Sequence, residues 1–233
     1  MKSVLENSLK SQVSSLLNVG IFIYPGVTMI DAYAPLQVLV LSRKVNVFTF
    51  AKDEWALPSD ANVDLLPNYS FDNCPSIDVL IVPGSANPLA QIEDQCVITF
   101  IKSVGMQAKY ITSVCTGALI LAEAGLLDGY KTTTHWAYAK ALEKYSNVNY
   151  VNERVVKDRN RISGGGITSG LDFALFLVGE IAGKDVGQGL ELTLEYDPQP
   201  PFNTGNNRLV NPDLRRHVQS QVNGLASDLF NRS

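Results

Sequence analysis

Apolar residues in the first half of the chain fall into short unbroken runs rather than into alternating or three-to-four-residue patterns. Val19 to Tyr24 reads VGIFIY and is stopped by Pro25-Gly26. Asn46 to Ala51 (NVFTFA), Asp78 to Val82 (DVLIV, stopped by Pro83-Gly84) and Lys109 to Val114 (KYITSV) repeat the theme. Runs of this length ended by turn residues predict strands buried on both faces. Between them lie helical stretches, Ala34 to Ser42, Gln91 to Gln107 and Thr116 to Ala124. Strand and helix in alternation predict βαβ units, hence an α/β fold with a mainly parallel central sheet and helices on both faces.

The second half changes character. Val148 to Val156 and Arg161 to Ser163 flank the polar Lys157-Asp158-Arg159-Asn160 and predict a β-hairpin. Gly164-Gly165-Gly166 leads into a helix from about Thr168 to Ile181, and Val186 to Tyr196 is also read as helical. A proline-rich loop, Asp197 to Gly205, follows. Asp213 then caps a last amphipathic helix carrying Leu214, Val218, Leu225 and Leu229 on one face. Residues 1–18 read as a short amphipathic helix or frayed extension, and 19–233 as one domain without repeats or linkers.

Composition narrows the function classes. Hydrophobic residues make up 45% of the chain and charged ones 18%, enough for a large core. The net charge is −4 and no basic cluster exceeds Arg215-Arg216, which argues against a nucleic-acid partner. No apolar run approaches the ~18 residues of a membrane span, and the N-terminus lacks the apolar centre of a secretory signal. Cys74, Cys96 and Cys115 are odd in number and widely spaced, so neither a disulfide framework nor a metal-binding pair is expected. A reducing, cytoplasmic location follows.

The candidate chemistry sits at Cys115, between a buried strand and a helix. Open α/β sheets place their chemistry at such carboxyl-terminal corners. A nucleophile there projects from a sharp turn, and small Gly117 lets the helix start close to the strand. The helix dipole and free N–H groups favour a thiolate. The alternative is an inert, buried cysteine, the reading adopted for Cys74 and Cys96. A base could come from His135, in TTTHW, or from Asp31, in YPGVTMIDAYAP. His135 reads better as a helix-cap or packing histidine than as a base, Asp31 reads equally as a helix N-cap, and His217 as solvated surface. If Asp31 is buried, its carboxyl is raised and can shuttle a proton. Gly164-Gly165-Gly166 lacks the spacing of a phosphate loop, and Trp136, Tyr138 and Phe202 read as core or interface.

Five blocks, TSVCTGALILAEAGLLDG, TTHWAY, ERVVKD, GGGITSGLDFAL and LEYDPQPPFNTG, resemble the ThiJ/PfpI superfamily, and within it the isocyanide hydratases. The resemblance runs from about Val19 to Gly205. It implies a flavodoxin-like, glutamine-amidotransferase-like sandwich and a homodimer with the site near the subunit interface. It implies Cys115 as nucleophile, Asp31 as its acid partner in place of the commoner glutamate, and Thr116 with its hydroxyl near that acid. Gly165 and Ile167 match residues lining the helix and pocket beside the cysteine. The implied activity needs no metal and no cofactor: it converts a small-molecule isocyanide to an N-substituted formamide through a cysteine thioimidate. Alternatives are a glyoxalase or deglycase acting on α-oxoaldehydes, and a cysteine-based redox sensor. Two departures bear on the pocket. Tyr33 adds bulk beside the first turn, and Pro83-Gly84-Ser85 stands where the superfamily carries Pro-Gly-Gly. The N–H groups of Gly84 and Ser85 are expected to hold substrate or water, and Ser85 to restrict a backbone that glycine left free. Related transcription factors carry a long helix-turn-helix module; with 28 residues after Gly205, a DNA-binding regulator is not expected.

Overall fold

In the computed structural model, residues 16–232 are described. In chain order the elements are β1 (Leu17–Phe22), α1 (Met29–Ser42), β2 (Val45–Ala51), β3 (Leu57–Pro58), β4 (Asp64–Leu65), β5 (Tyr69–Ser70), β6 (Val79–Val82), α2 (Leu89–Glu93), α3 (Gln95–Gln107), β7 (Tyr110–Val114) and α4 (Gly117–Glu123). A second series follows: β8 (Lys131–Thr132), α5 (Ala139–Leu142), β9 (Asn149–Tyr150), β10 (Val155–Asp158), β11 (Arg161–Gly164), α6 (Ser169–Ala182), α7 (Lys184–Thr193), α8 (Pro212–Leu225) and α9 (Ser227–Asn231).

The four apolar runs become the middle of a seven-stranded sheet ordered β10-β11-β7-β6-β1-β2-β5. Every pair is parallel except the β10–β11 hairpin. Val19, Ile21 and all of β6 are fully buried, as two-sided burial demands. Two helical groups flank the sheet: α1 packs on α6 and α6 on α7, while α4 packs on α2, α3 and α5. The chain leaves β1 towards β2 on one side and returns to β6 on the other. Strand order therefore reverses between β1 and β6, the place where open α/β sheets form their crevice. The segments after β1, β6 and β7 all emerge there.

Several boundaries differ from expectation, each for a local reason. The strand read from Val19 begins at Leu17, because Leu17 and Asn18 pair with Val45 and Asn46. The rest of the N-terminal reading lies outside the described residues. The helix expected from Ala34 begins at Met29 and carries Pro35 inside it. Proline cannot donate to the carbonyl of Asp31, a loss that an interior position normally avoids. The stretch read as one helix from Gln91 to Gln107 is two. Asp94 breaks it and caps the second, its carboxylate accepting from Cys96 N–H (2.9 Å) and Val97 N–H (3.3 Å). The hairpin is shorter than read, since Val155–Asp158 pairs with Arg161–Gly164 and Asn149–Tyr150 pairs instead with β8. The helix read over Val186 to Tyr196 runs Lys184–Thr193. Asn211, not Asp213, caps the last long helix, accepting from Asp213 N–H at 2.8 Å. Its apolar stripe is not a buried face: Leu214 and Leu225 are 42% and 66% exposed, and only Leu229, in α9, is in the core.

Candidate active site

Cys115 occupies the corner between β7 and α4 with φ 57°, a left-handed conformation costly for a residue with a side chain. Its backbone is held on both sides. The N–H donates to Gly164 O on the neighbouring strand at 3.1 Å, and the carbonyl accepts from the Thr134 hydroxyl at 2.8 Å. Gly117 permits the tight exit. A Cβ there would lie 1.9 Å from Val82 O and 2.8 Å from Pro83 O, so the first turn of α4 rests directly on the end of β6.

Asp31, in the first turn of α1, is completely buried. It is not the N-cap: Thr28 holds that place, and Asp31 N–H donates to the Thr28 carbonyl at 2.9 Å. One carboxyl oxygen, Oδ2, accepts from Gly84 N–H at 3.0 Å. The other, Oδ1, is buried with no hydrogen-bond partner. Cys115 lies close enough to Asp31 that each group shifts the other's ionisation. Burial lifts the Asp31 carboxyl to about 7, against the opposing Gly84 N–H and Cys115 contacts and with a small push from Asp60. Burial also pushes the Cys115 thiol well above its ordinary value, and the nearby Asp31 charge raises it further. The Thr116 N–H favours the thiolate, as a helix start should, but it is outweighed. Burial and the Asp31 charge thus both oppose the thiolate that the helix start alone would favour.

The Gly84-Ser85 loop does not offer the free N–H groups read from the sequence. Gly84 N–H is spent on Asp31, and Ser85 N–H donates to Thr116 Oγ1 at 2.8 Å. Thr116 Oγ1 returns a bond to Ser85 O at 2.7 Å. The Thr116 hydroxyl therefore locks the loop rather than binding the acid, although both crowd Gly84: a Cβ there would lie 2.6 Å from Thr116 Oγ1 and 3.0 Å from Asp31 Oδ2. Gly84→Ala is expected to displace the carboxyl and lower kcat/KM by about 10- to 100-fold, equivalent to ~1–3 kcal/mol of overpacking, measured by steady-state kinetics. Ser85 itself is unstrained, since it is not among the positive-φ residues and bridges to Val27. Its hydroxyl is buried with no hydrogen-bond partner, and the buried Tyr24 phenol, whose ionisation burial opposes, donates to Pro83 O at 3.0 Å.

The remaining predicted residues divide. Tyr33 is half-buried on α1, two residues past Asp31. Gly165 is buried and donates to Arg154 O at 2.9 Å, and Gly164, its neighbour, makes the contact with Cys115. Ile167 is 39% exposed. His135 is the cap that one reading gave it. Its Nδ1 accepts from Ala137 N–H at 3.3 Å, and burial lowers its pKa to about 4. It is a neutral ring and is not among the groups that shift Asp31 or Cys115. His217 is exposed, as read. Cys74 is half-buried with its thiol pushed up to about 11, whereas Cys96 is exposed rather than buried. Phe202 is 82% exposed and belongs to no core. Among the described residues no group of His, Cys, Asp or Glu could hold a metal, and no helix is long and apolar enough to cross a membrane. Tyr24, Thr134 and Tyr138 were missed as site residues. A hydroxyl at the end of an apolar run carries no periodic signal of where it points.

This corner has known counterparts. Residues 18–180 match the DJ-1/PfpI family. The chain belongs to that family. It is 43% identical over 190 residues to isonitrile hydratase of Pseudomonas putida, a match spanning 82% of this chain and 83% of that protein. It is 26% identical to the HTH-type transcriptional regulator GbdR of Pseudomonas aeruginosa, covering 77% of this chain and 51% of the regulator. Among solved structures, a ThiJ/PfpI family protein from Pseudomonas syringae superposes with a TM-score of 0.87 at 36% identity, over 93% of this chain and 90% of the other. The flavodoxin-like arrangement expected of the DJ-1/PfpI family is the one observed.

Proposed function

We propose that this protein is an isocyanide hydratase, converting R–N≡C and water to R–NH–CHO, with Cys115 as nucleophile and Asp31 as proton carrier. The observation that carries the reading is that Cys115 and Asp31 are buried together, each shifting the other's ionisation, at the point where strand order reverses. The resemblance to an isonitrile hydratase supports it.

The steps follow from the protons available. Asp31 carboxylate takes the thiol proton as sulfur bonds to the terminal isocyanide carbon, then delivers it to that same carbon. The product is the thioimidate R–N=CH–S, and Asp31 is again a carboxylate. Asp31 next removes a proton from water, whose oxygen attacks the imidate carbon, and Asp31 passes that same proton to nitrogen. The tetrahedral adduct collapses: the C–S bond breaks, the carbonyl forms, and sulfur recovers a proton through Asp31. Splitting hydration into two covalent steps is what a nucleophile contributes. The Thr116–Ser85 bonds hold the loop that presents Gly84 N–H to Asp31, so Thr116 is a positioning residue. Tyr33, Gly165 and Ile167 are assigned to the pocket around the substrate's R group. The working form is read as a cytoplasmic homodimer. Ile30, beside Asp31, is 49% exposed, and with Ile167 it leaves apolar surface near the site for a second subunit.

The sensor alternative requires an exposed, acidic thiol. Cys115 is 4% exposed and raised, which disfavours it. A side-by-side assay separates the enzyme readings. Formamide formed from a simple alkyl isocyanide, with methylglyoxal left unconsumed, is expected; turnover of methylglyoxal alone would replace this function with a glyoxalase.

A further inference from the structure

We propose that the C-terminal segment α8–α9 is a clasp that sets the position of the Pro83–Ala86 loop against Asp31, and that Tyr138 is the positioning residue through which it acts. The inference rests on the Cys115–Asp31 chemistry proposed above. All four carbonyls of the loop are held. Pro83 O accepts from Tyr24, Gly84 O from Thr28 N–H (2.9 Å), Ser85 O from Thr116 and Ala86 O from the Tyr138 hydroxyl. Three of these donors belong to segments of the site corner itself. Tyr138 is the one that also touches the C-terminal segment, its ring stacked on Phe230 at 5.6 Å and 23°.

The segment is fastened to the elements that frame the nucleophile. Asn87, just beyond the loop, donates to Asp228 Oδ1 at 2.8 Å. Gln219 donates to Ala137 O at 2.8 Å, one residue before Tyr138. Arg232 forks onto Glu123 at 2.9 and 3.0 Å, and Glu123 ends the helix that Cys115 begins. Lys144 donates to the carbonyls of Phe230 and Arg232 at 2.7 and 2.6 Å. Yet α8 has no buried residue, and only Ala226 and Leu229 anchor the segment in the core. A five-residue helix such as α9 has negligible stability alone. Its ordering depends on these contacts, which converge on the loop, on Tyr138 and on the C-terminal end of α4.

The consequence for Asp31 has a sign. Gly84 N–H favours the carboxylate, so a loop held less firmly leaves Asp31 harder to ionise. The titratable groups facing Asp31 are Cys115 from the β7–α4 corner, Tyr24 from the end of β1 and Asp60 from the β3–β4 connection; Tyr138 is coupled to Cys115 as well, and Phe230→Ala tests the clasp with that phenol left in place.

The test is the pH dependence of Cys115 alkylation by iodoacetamide, read by peptide mass spectrometry on the full chain. It needs no isocyanide turnover. In a coupled pair, alkylation first rises as Asp31 ionises. Tyr138→Phe and Phe230→Ala are each expected to move that inflection up by about half to one unit, with Tyr138→Phe still cooperatively folded by thermal denaturation. Asp228→Ala, at an exposed position, should move it the same way by less. An unmoved or lowered inflection in folded Tyr138→Phe overturns the proposal. So does a lowered Tm with unmoved inflection in Phe230→Ala, which would make the segment packing alone. A wild-type inflection that responds to these variants in a protein inert towards isocyanides leaves the clasp standing and removes the hydratase.

Discussion

Cys115→Ala is expected to lower kcat/KM for isocyanide hydration by at least about 10⁴-fold, because the covalent route disappears with its only nucleophile. The neighbouring hydroxyl cannot substitute. Thr116 Oγ1 both accepts from and donates to Ser85, and moving it would release the loop that holds Gly84 against Asp31. Cys115→Ser should be almost as inactive. A serine hydroxyl is far less acidic than even a raised thiol, so a carboxylate titrating near 7 cannot take its proton to a useful extent. Both variants keep the left-handed backbone at position 115, together with its bonds to Gly164 and Thr134. Their Tm values should therefore stay near wild type, and thermal denaturation beside the kinetics separates lost chemistry from lost fold.

Asp31→Asn is expected to cost about 10³-fold in kcat/KM, the upper part of what a positioned proton carrier contributes. It should also remove a pH limb. In the wild type the reactive pair holds a single proton, a state that forms as Asp31 ionises. The rate should thus climb as pH rises through about 7 and level off above it. The same group makes stability depend on pH in the opposite sense. Its folded value of about 7 lies above the ordinary 3.8, so its contribution is fully present below about 3.8 and is lost as pH rises through about 7. A difference of roughly three units corresponds to about 4 kcal/mol across that window. Urea denaturation at pH 5 and pH 8 should show the wild type losing stability relative to Asp31→Asn. Equal pH responses in the two proteins would mean that Asp31 is ionised in the fold at little cost.

The strands and the nucleophile's corner were legible because their signals are local. An apolar run ending in Pro-Gly, or a small residue two positions after Cys115, needs no knowledge of the rest of the chain. The first turn of α1 was hidden by Pro35, a residue that normally marks a helix start and here sits inside one. Asp94 was hidden the other way, since a capping carboxylate in a helical pattern looks like any polar residue of an exposed face. The C-terminal stripe failed because periodicity states which residues share a face, not whether anything covers it.

The site divides along the same line. Residues 31 and 115 are far apart in the chain, and no spacing rule brings their side chains together. Their pairing was carried by the resemblance of the blocks around them, and their proximity belongs to tertiary structure. What resemblance could not supply was the use of individual backbone groups. The N–H groups of Gly84 and Ser85 were expected to face substrate, and they turn inward to Asp31 and Thr116. The direction of the shift at Cys115 also escaped it. Helix-start N–H groups do favour the Cys115 anion, but the burial that makes the corner reactive outweighs them.

The central claim is a covalent bond between Cys115 and the isocyanide carbon, and intact-protein mass spectrometry of an acid-quenched mixture with an alkyl isocyanide tests it most directly. The account predicts a mass increase of one isocyanide, mapped to the peptide containing Cys115 and absent from Cys115→Ala. An enzyme that turns over with no adduct at any quench time, alongside a Cys115→Ala variant that still makes formamide at the wild-type rate, would contradict it.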